Sequence, residues 1–171
     1  MNILLELDQT LHKVIVCTKA EEPLYSAMKK RLKDSVDIYY LANGDSMPNI
    51  AKMNPGENGM IIYDDLVLDQ DKSIGEMYIR GRKLGYSSIF ISQSFFGVNK
   101  IIRQNSNYVW LGRGISKRDL RMILSEYALN MTKKELEDLY AKATNKPMHF
   151  LMLDLDDREA RQDITETSAS L

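Results

Sequence analysis

The chain has 171 residues, one domain's worth, with 44% hydrophobic and 27% charged residues, the balance of an ordinary soluble globular protein. Its formal net charge of -1 announces neither a nucleic-acid nor a membrane partner, so any such signal must come from where the charges sit. The single cysteine, Cys17, excludes an internal disulfide and fits a reducing compartment or a virion interior; with no bilayer-length apolar run and no basic leader before an apolar stretch, the expected location is cytoplasmic.

Strand and helix signals alternate. The β-branched run Lys13-Val14-Ile15-Val16-Cys17-Thr18 predicts a buried strand, and Pro23 opens a helix whose Leu24, Ala27, Met28 and Leu32 recur at helical spacing. A second short strand is expected over Val36 to Leu41, followed by a Gly/Asp/Ser/Pro loop through Pro55. Gly59 to Tyr63 predicts a third strand that stops at Asp64-Asp65. A helix follows from Ser73 to Leu84, with Ser73 as cap, Glu76 completing a capping box and Gly85 as terminator. Strands are expected at Ser87 to Ser92 and Asn107 to Leu111. Ser116 caps a helix running to about Leu129, Thr132 caps another with Glu135 three residues on, and Met148 to Leu153 makes a last strand. Residues 1–155 read as one partial domain and 156–171 as a flexible polar tail. Strands joined by helical crossovers imply an α/β fold with a mostly parallel sheet, where ligands gather at the carboxyl ends of the strands. That rule selects Thr18, Asp64-Asp65 and Ser92-Gln93.

An acidic pair after a four-residue apolar run has the form of a Walker B motif. The chemistry needs one carboxylate at the strand tip to hold Mg²⁺ through water, and a second beyond it to orient the water that attacks the γ-phosphate. The usual second residue is Glu; Asp65 is one methylene shorter and must sit closer or act through an extra water. Two aspartates can also simply open a polar loop. Gln93, at the end of the next strand, carries a neutral amide able to donate to a phosphate oxygen while accepting from another group, or it can be a plain loop residue in a serine-rich turn.

Taken in order, Met60-Ile-Ile-Tyr-Asp-Asp-Leu66, Ile79-Arg-Gly-Arg-Lys-Leu-Gly85, Ile89-Phe-Ile-Ser-Gln-Ser-Phe-Phe96 and Ile101-Ile-Arg-Gln-Asn105 resemble the packaging ATPases of large nucleocytoplasmic DNA viruses, poxviruses included, and of virophages, within the FtsK-HerA superfamily of P-loop motors. Pro23-Leu24-Tyr25 and Ser116 to Leu124 resemble further segments of that family, so that the resemblance covers about residues 3 to 153. It implies a P-loop NTPase fold of the RecA-like kind and an ATP-driven motor that packages double-stranded DNA into a capsid. Such a motor works as a homo-oligomeric ring, uses ATP and Mg²⁺, touches capsid proteins, and acts in the host cytoplasm, at a viral factory, or in the virion. Residue by residue it implies that Asp64 is the Mg²⁺-associated acid, Asp65 the catalytic carboxylate, Gln93 the γ-phosphate sensor, and Arg82 the finger offered to a neighbouring subunit. Arg103 and Arg113 are weaker candidates for that finger.

The departure is equally specific. No G-x-x-x-x-G-K-[ST] occurs in the sequence, so the backbone cradle, the phosphate-binding Lys and the Ser/Thr on Mg²⁺ are absent, and this chain alone is expected to be inactive. Met1 to Thr10 resembles the tail of the helix that follows that loop. Either the chain is a truncated reading of a longer protein, lacking the first strand and the loop, or it is a degenerate subunit. The surviving catalytic positions favour the first. Another FtsK-HerA-type motor, for conjugation or phage assembly, and a non-hydrolytic structural or regulatory subunit remain the alternative functions.

Between Arg80 and Arg121 the basic residues are Arg80, Arg82, Lys83, Lys100, Arg103, Arg113, Lys117, Arg118 and Arg121, with Asp119 as the lone acid. A pore that tracks phosphates without reading bases needs such a lining, and Lys100, Arg103, Lys117 and Arg118 are candidate DNA contacts. His12 and His149 lack companions at ligand spacing and read as structural, Cys17 as a small buried apolar residue, and Trp110 as a core or oligomer contact.

Overall fold

The computed structural model describes residues 12–54, 56, 58–67 and 72–162, and these fall into two compact units divided after Asn105. The first unit holds strands β1 (Lys13–Thr18), β2 (Val36–Tyr40), β3 (Gly59–Asp64) and β4 (Tyr86–Ile91), with helices α1 (Pro23–Leu32), α2 (Lys72–Arg80) and α3 (Lys100–Gln104). The strands form one sheet in the order β2-β1-β3-β4, every neighbouring pair parallel. Parallel neighbours cannot be joined by a tight turn, which is why α1 separates β1 from β2 and α2 separates β3 from β4.

Both faces of β1 and β3 are covered, so both strands are continuous apolar runs and not alternating ones. The period of two still sorts their side chains. Ile15, Cys17, Ile61 and Tyr63 pack with Ile74 and Met77 of α2 and Ile102 of α3; Val14, Val16, Met60 and Ile62 pack with Tyr25 and Met28 of α1 and with Val36. Cys17 is fully buried, and burial pushes its thiol up to about 12, so it serves as a small apolar residue. Ile61 has no exposed surface, and Ile61→Ala is expected to destabilise the chain by about 2–5 kcal/mol, read from the midpoint of urea unfolding.

The helix expected from Ser73 is described from Lys72, which places Ser73 inside it. Glu76 accepts a 2.7 Å bond from Arg80, one turn on. The helix closes as a 3-10 turn over Gly81–Leu84, and Gly85 ends it at φ 84, a left-handed conformation in which a side chain would be strained.

The second unit is built differently. Strands β5 (Tyr108–Leu111), β6 (Leu151–Asp154) and β7 (Glu159–Gln162) form an antiparallel sheet in that order, with helices α4 (Lys117–Tyr127) and α5 (Lys133–Ala143) between β5 and β6. Leu120, Ile123, Leu136, Leu151 and Leu153 are buried in it. Thr132 caps α5 in the expected capping box, its hydroxyl accepting from the Glu135 amide and the Glu135 carboxylate accepting from its own. These bonds hold the Glu135 carboxyl below its ordinary range. The Tyr140 hydroxyl donates to Gly112 O at 2.7 Å and accepts from Ile115 N at 2.9 Å, tying the turn before α4 to α5.

Two expectations for this region change. The last strand begins at Leu151, not Met148, which is 90% exposed with φ 66. The polar tail contains β7: Glu159–Gln162 pairs along β6, and Arg161 faces the carboxylates of Asp154, Asp157 and Glu159 at 3.7, 3.3 and 3.2 Å. The remainder of the expected tail, 163–171, and the expected helix remnant before Leu11 lie outside the described residues. Trp110 is not a core residue; with Tyr108 it stays exposed, the two rings 6.0 Å apart.

Candidate active site

The carboxyl ends of β1, β3 and β4 are level: Thr18 is the register partner of Asp64, and Asp64 of Ile91. Asp64, the last residue of β3, is half-buried, and its Oδ2 accepts a hydrogen bond from the Tyr25 hydroxyl of α1. Tyr25 comes to that carboxylate because Pro23 starts α1 five residues after β1 ends, folding the first turn of the helix back over the strand tips. Burial, foremost, and then the hydrogen bond and charge of Asp64 push the Tyr25 phenol above the ordinary tyrosine range, while a hydrogen bond from Thr18 works the other way.

Asp65 leaves the strand with φ 51, a left-handed backbone that few non-glycine residues adopt, though aspartate tolerates it better than most. Its amide still donates to Ile91 O at 3.1 Å, and Leu66 beyond it is 1% exposed. The strained residue is therefore held between a strand end and a buried anchor, while its carboxylate is exposed and hydrogen-bonds to no described residue. Strain maintained in this way is characteristic of sites where direction matters more than stability.

Gln93 lies two residues beyond β4, exposed. The loop it opens is tightly cross-braced. The Ser92 hydroxyl donates to Ser94 O and accepts from Ser94 N, both at 3.0 Å, and the Ser94 hydroxyl accepts from Gly97 N at 3.1 Å. Arg103 completes the bracing: Nη1 donates to Val98 O at 2.6 Å, and the guanidinium carbon lies 5.3 and 5.4 Å from the ring centres of Phe95 and Phe96.

Arg82 sits on the 3-10 turn before β4, its carbonyl accepting from Gly85 N at 3.1 Å and its exposed guanidinium bonded or paired to no described residue. Because β4 runs from this turn toward Gln93, Arg82 stands at the opposite end of the strand from the carboxylates. Six strand residues span about 20 Å, too far for an arginine to reach its own site. The other basic residues divide. Arg80 pairs with Glu76, Arg113 donates to Thr144 O and Asn145 O at the end of α5, and Lys117 and Arg121 share Glu137 at 3.2 and 2.8 Å. Lys83, Lys100 and Arg118 are exposed and have no partner among the described residues.

The oxygen donors at the strand tips suit a hard cation that keeps most of its water. Mg²⁺ commonly takes one or two carboxylates together with substrate phosphates and needs no all-protein cage. The half-buried Asp64 fits that requirement, and no group of three or more His, Cys, Asp or Glu side chains among the described residues offers a competing site. Donors for the phosphates of a nucleotide are a different matter, since the sequence has no phosphate-binding loop.

No family model and no curated protein sequence matches the chain. Solved structures do. B204, the DNA-packaging ATPase of Sulfolobus turreted icosahedral virus, aligns over 87% of this chain and 80% of its own, with TM-score 0.59 and 14% identity. The fold of this chain is similar to that of B204. The genome-packaging NTPase B204 of Sulfolobus turreted icosahedral virus 2, in complex with AMPPCP, aligns over 93% of this chain and 85% of its own, with TM-score 0.62 and 15% identity. The same protein in complex with ATP-gammaS gives TM-score 0.52 at 13% identity, over 90% and 97%. The parallel sheet flanked by helices is thus the P-loop NTPase-like arrangement expected from the sequence.

Motif order singles out Asp64, Asp65, Gln93 and Arg82 in the sequence but not the contact of Tyr25 with Asp64, although Pro23-Leu24-Tyr25 stands out as a family segment. A tyrosine at the first turn after a strand carries no signal of its partner; only the pairing of β1 with β3 brings it to Asp64.

Proposed function

We propose that these residues form the catalytic-carboxylate and sensor part of an ATP-driven DNA translocase that fills a viral capsid. It acts as a ring of identical subunits, with ATP bound at a phosphate loop supplied by a segment outside the 171 residues. The observation that carries this is the placement of Asp64-Asp65. They end a central parallel strand, level with the strand that leads to Gln93, in a fold shared with a packaging ATPase. No described strand pairs with the outer edge of β4, and β5 belongs to the other sheet, an arrangement that leaves an edge for the strand leading into such a loop.

In this reading the Asp64 carboxylate holds water on Mg²⁺, and the bound ion supplies neutralisation of the phosphate charge. Asp65, aimed by its left-handed backbone, orients and polarises the attacking water. Gln93, on its braced loop, donates its amide to the γ-phosphate. Arg82, out of reach of its own carboxylates, serves a neighbouring subunit, where charge spreads over the transferring phosphoryl. The ring meets double-stranded DNA and capsid proteins, in the infected cell or the virion. No helix among the described residues is long and apolar enough to cross a membrane. The missing phosphate loop favours one second reading, a subunit that assembles with active copies and does not hydrolyse.

DNA contact falls to the unpartnered cations, Lys100 and Arg118 first, with Lys117 shared with Glu137 and Arg103 committed to its loop. The oligomer is expected to bind duplexes of unrelated sequence equally, with affinity falling steeply as salt rises. Lys100→Ala combined with Arg118→Ala is expected to reduce the slope of log affinity against log salt by about 2, roughly 0.9 for each phosphate no longer neutralised. Fluorescence anisotropy across a salt series measures it, and an unchanged slope removes both residues from the DNA path.

A further inference from the structure

We infer that Tyr25 is the positioning residue of the metal-associated carboxylate: its phenol holds one oxygen of Asp64 toward α1 and leaves the other to accept from metal-bound water. The inference rests on the reading of Asp64 given above and adds to it a residue that neither motif nor structural likeness assigns. An ionised carboxylate accepts about four hydrogen bonds on its two oxygens and can rotate among them. At the tip of β3 that rotation is fixed from one side only. Tyr25 donates to Oδ2, and no described residue donates to Oδ1.

The phenol can act as a fixed point because its ring is itself fixed. Tyr25 is 4% exposed and packs among Val14, Val16, Met28, Val36, Met60 and Ile62, on the face of the sheet covered by α1. Its hydroxyl emerges from that core at the strand tips, where Thr18, the register partner of Asp64, is 3% exposed and turns its own hydroxyl to Ala20 O at 3.4 Å. Tyr25 and Asp64 thus form a polar pair at the end of an apolar layer, with only the carboxylate half open to solvent. Partners of this kind orient a ligand and hold its geometry before the metal arrives. Phenylalanine fills the same ring space and deletes only the O–H, so packing and positioning can be separated.

The test uses the full 171-residue chain and Mg²⁺ alone, followed through the Asp65 backbone amide in ¹⁵N NMR, and requires no nucleotide. Tyr25→Phe is expected to keep a native spectrum and raise the Mg²⁺ midpoint about tenfold or more, the usual effect of removing such a partner. A packing role alone would leave Tyr25→Phe at the wild-type midpoint and confine the loss to Tyr25→Leu, which overturns the inference while Asp64 stands. As a second measurement, the ring-carbon signal of labelled Tyr25 is expected to move when Mg²⁺ saturates the wild-type chain; an unmoved signal also overturns it. If the Asp65 amide ignores Mg²⁺, or responds equally in Asp64→Asn, the failure belongs to the reading of Asp64 itself, and the inference goes with it.

Discussion

Asp65→Asn is expected to abolish turnover while leaving nucleotide binding intact, in a subunit that carries these residues together with a phosphate-binding loop. Asparagine has nearly the same shape and adopts the left-handed backbone that Asp65 occupies at φ 51, so the strand end and the anchor at Leu66 should survive the change. What disappears is the negative charge that, in the proposed role, polarises the attacking water, and general-base assistance of this kind contributes about 10²–10⁴-fold to rate. Single-turnover hydrolysis should fall by that factor with the affinity for a fluorescent nucleotide unchanged. Equal losses in binding and turnover would mean that the residue shapes the nucleotide site and does not act on water. Asp65→Glu restores the usual length of the catalytic acid and should retain activity, separating charge from geometry.

Arg82→Ala has the larger expected effect. An arginine supplied from a neighbouring subunit is worth about 10³–10⁵-fold in turnover, because it meets charge that develops only as the phosphoryl group transfers. The position of Arg82 makes the prediction sharper than a simple loss. It stands before β4, and the carboxylates stand at the opposite end of the neighbouring strand, so in the proposed role Arg82 must act on a neighbouring subunit. A homogeneous Arg82→Ala ring should be inactive. Mixed with Asp65→Asn subunits, it should regain activity at those interfaces where an intact Arg82 of one variant meets an intact Asp65 of the other. A homogeneous Arg82→Ala ring that hydrolyses ATP at the wild-type rate removes the assignment.

The parts of the fold legible in the sequence were those with a local physical cause. The runs ending at Thr18 and Asp64 are apolar on both faces because both faces are covered, and they stop where the polar chemistry starts. Thr132 and Glu135 satisfy each other's amides, so the start of α5 is written in four residues. Strand β7 was illegible for the opposite reason. Glu-Ala-Arg-Gln has one apolar side chain, and the carboxylates that gather around Arg161 are set by the β6–β7 pairing, which no local pattern announces.

At the site, the motif order marked which residues to inspect, and the parallel register of β1, β3 and β4 brought Thr18, Asp64 and the strand leading to Gln93 to one edge. The basic stretch from Arg80 to Arg121 was legible only as a sum. Its members separate into a helix pair at Arg80, a loop brace at Arg103, a helix-end bond at Arg113, a shared carboxylate at Lys117 and Arg121, and a remainder without partners among the described residues. Those roles depend on which carbonyl or carboxylate lies nearby after folding, and composition cannot supply them.

The central claim, an ATP-driven motor on double-stranded DNA whose chemistry runs through Asp65, is tested most directly by displacement of a triplex-forming strand from duplex DNA. The oligomer with its phosphate-binding loop should strip the third strand in an ATP-dependent manner from duplexes of unrelated sequence, and the Asp65→Asn oligomer should bind ATP and DNA yet leave the triplex intact. Displacement by Asp65→Asn at the wild-type rate, or none by a wild-type oligomer that hydrolyses ATP on DNA, would contradict it.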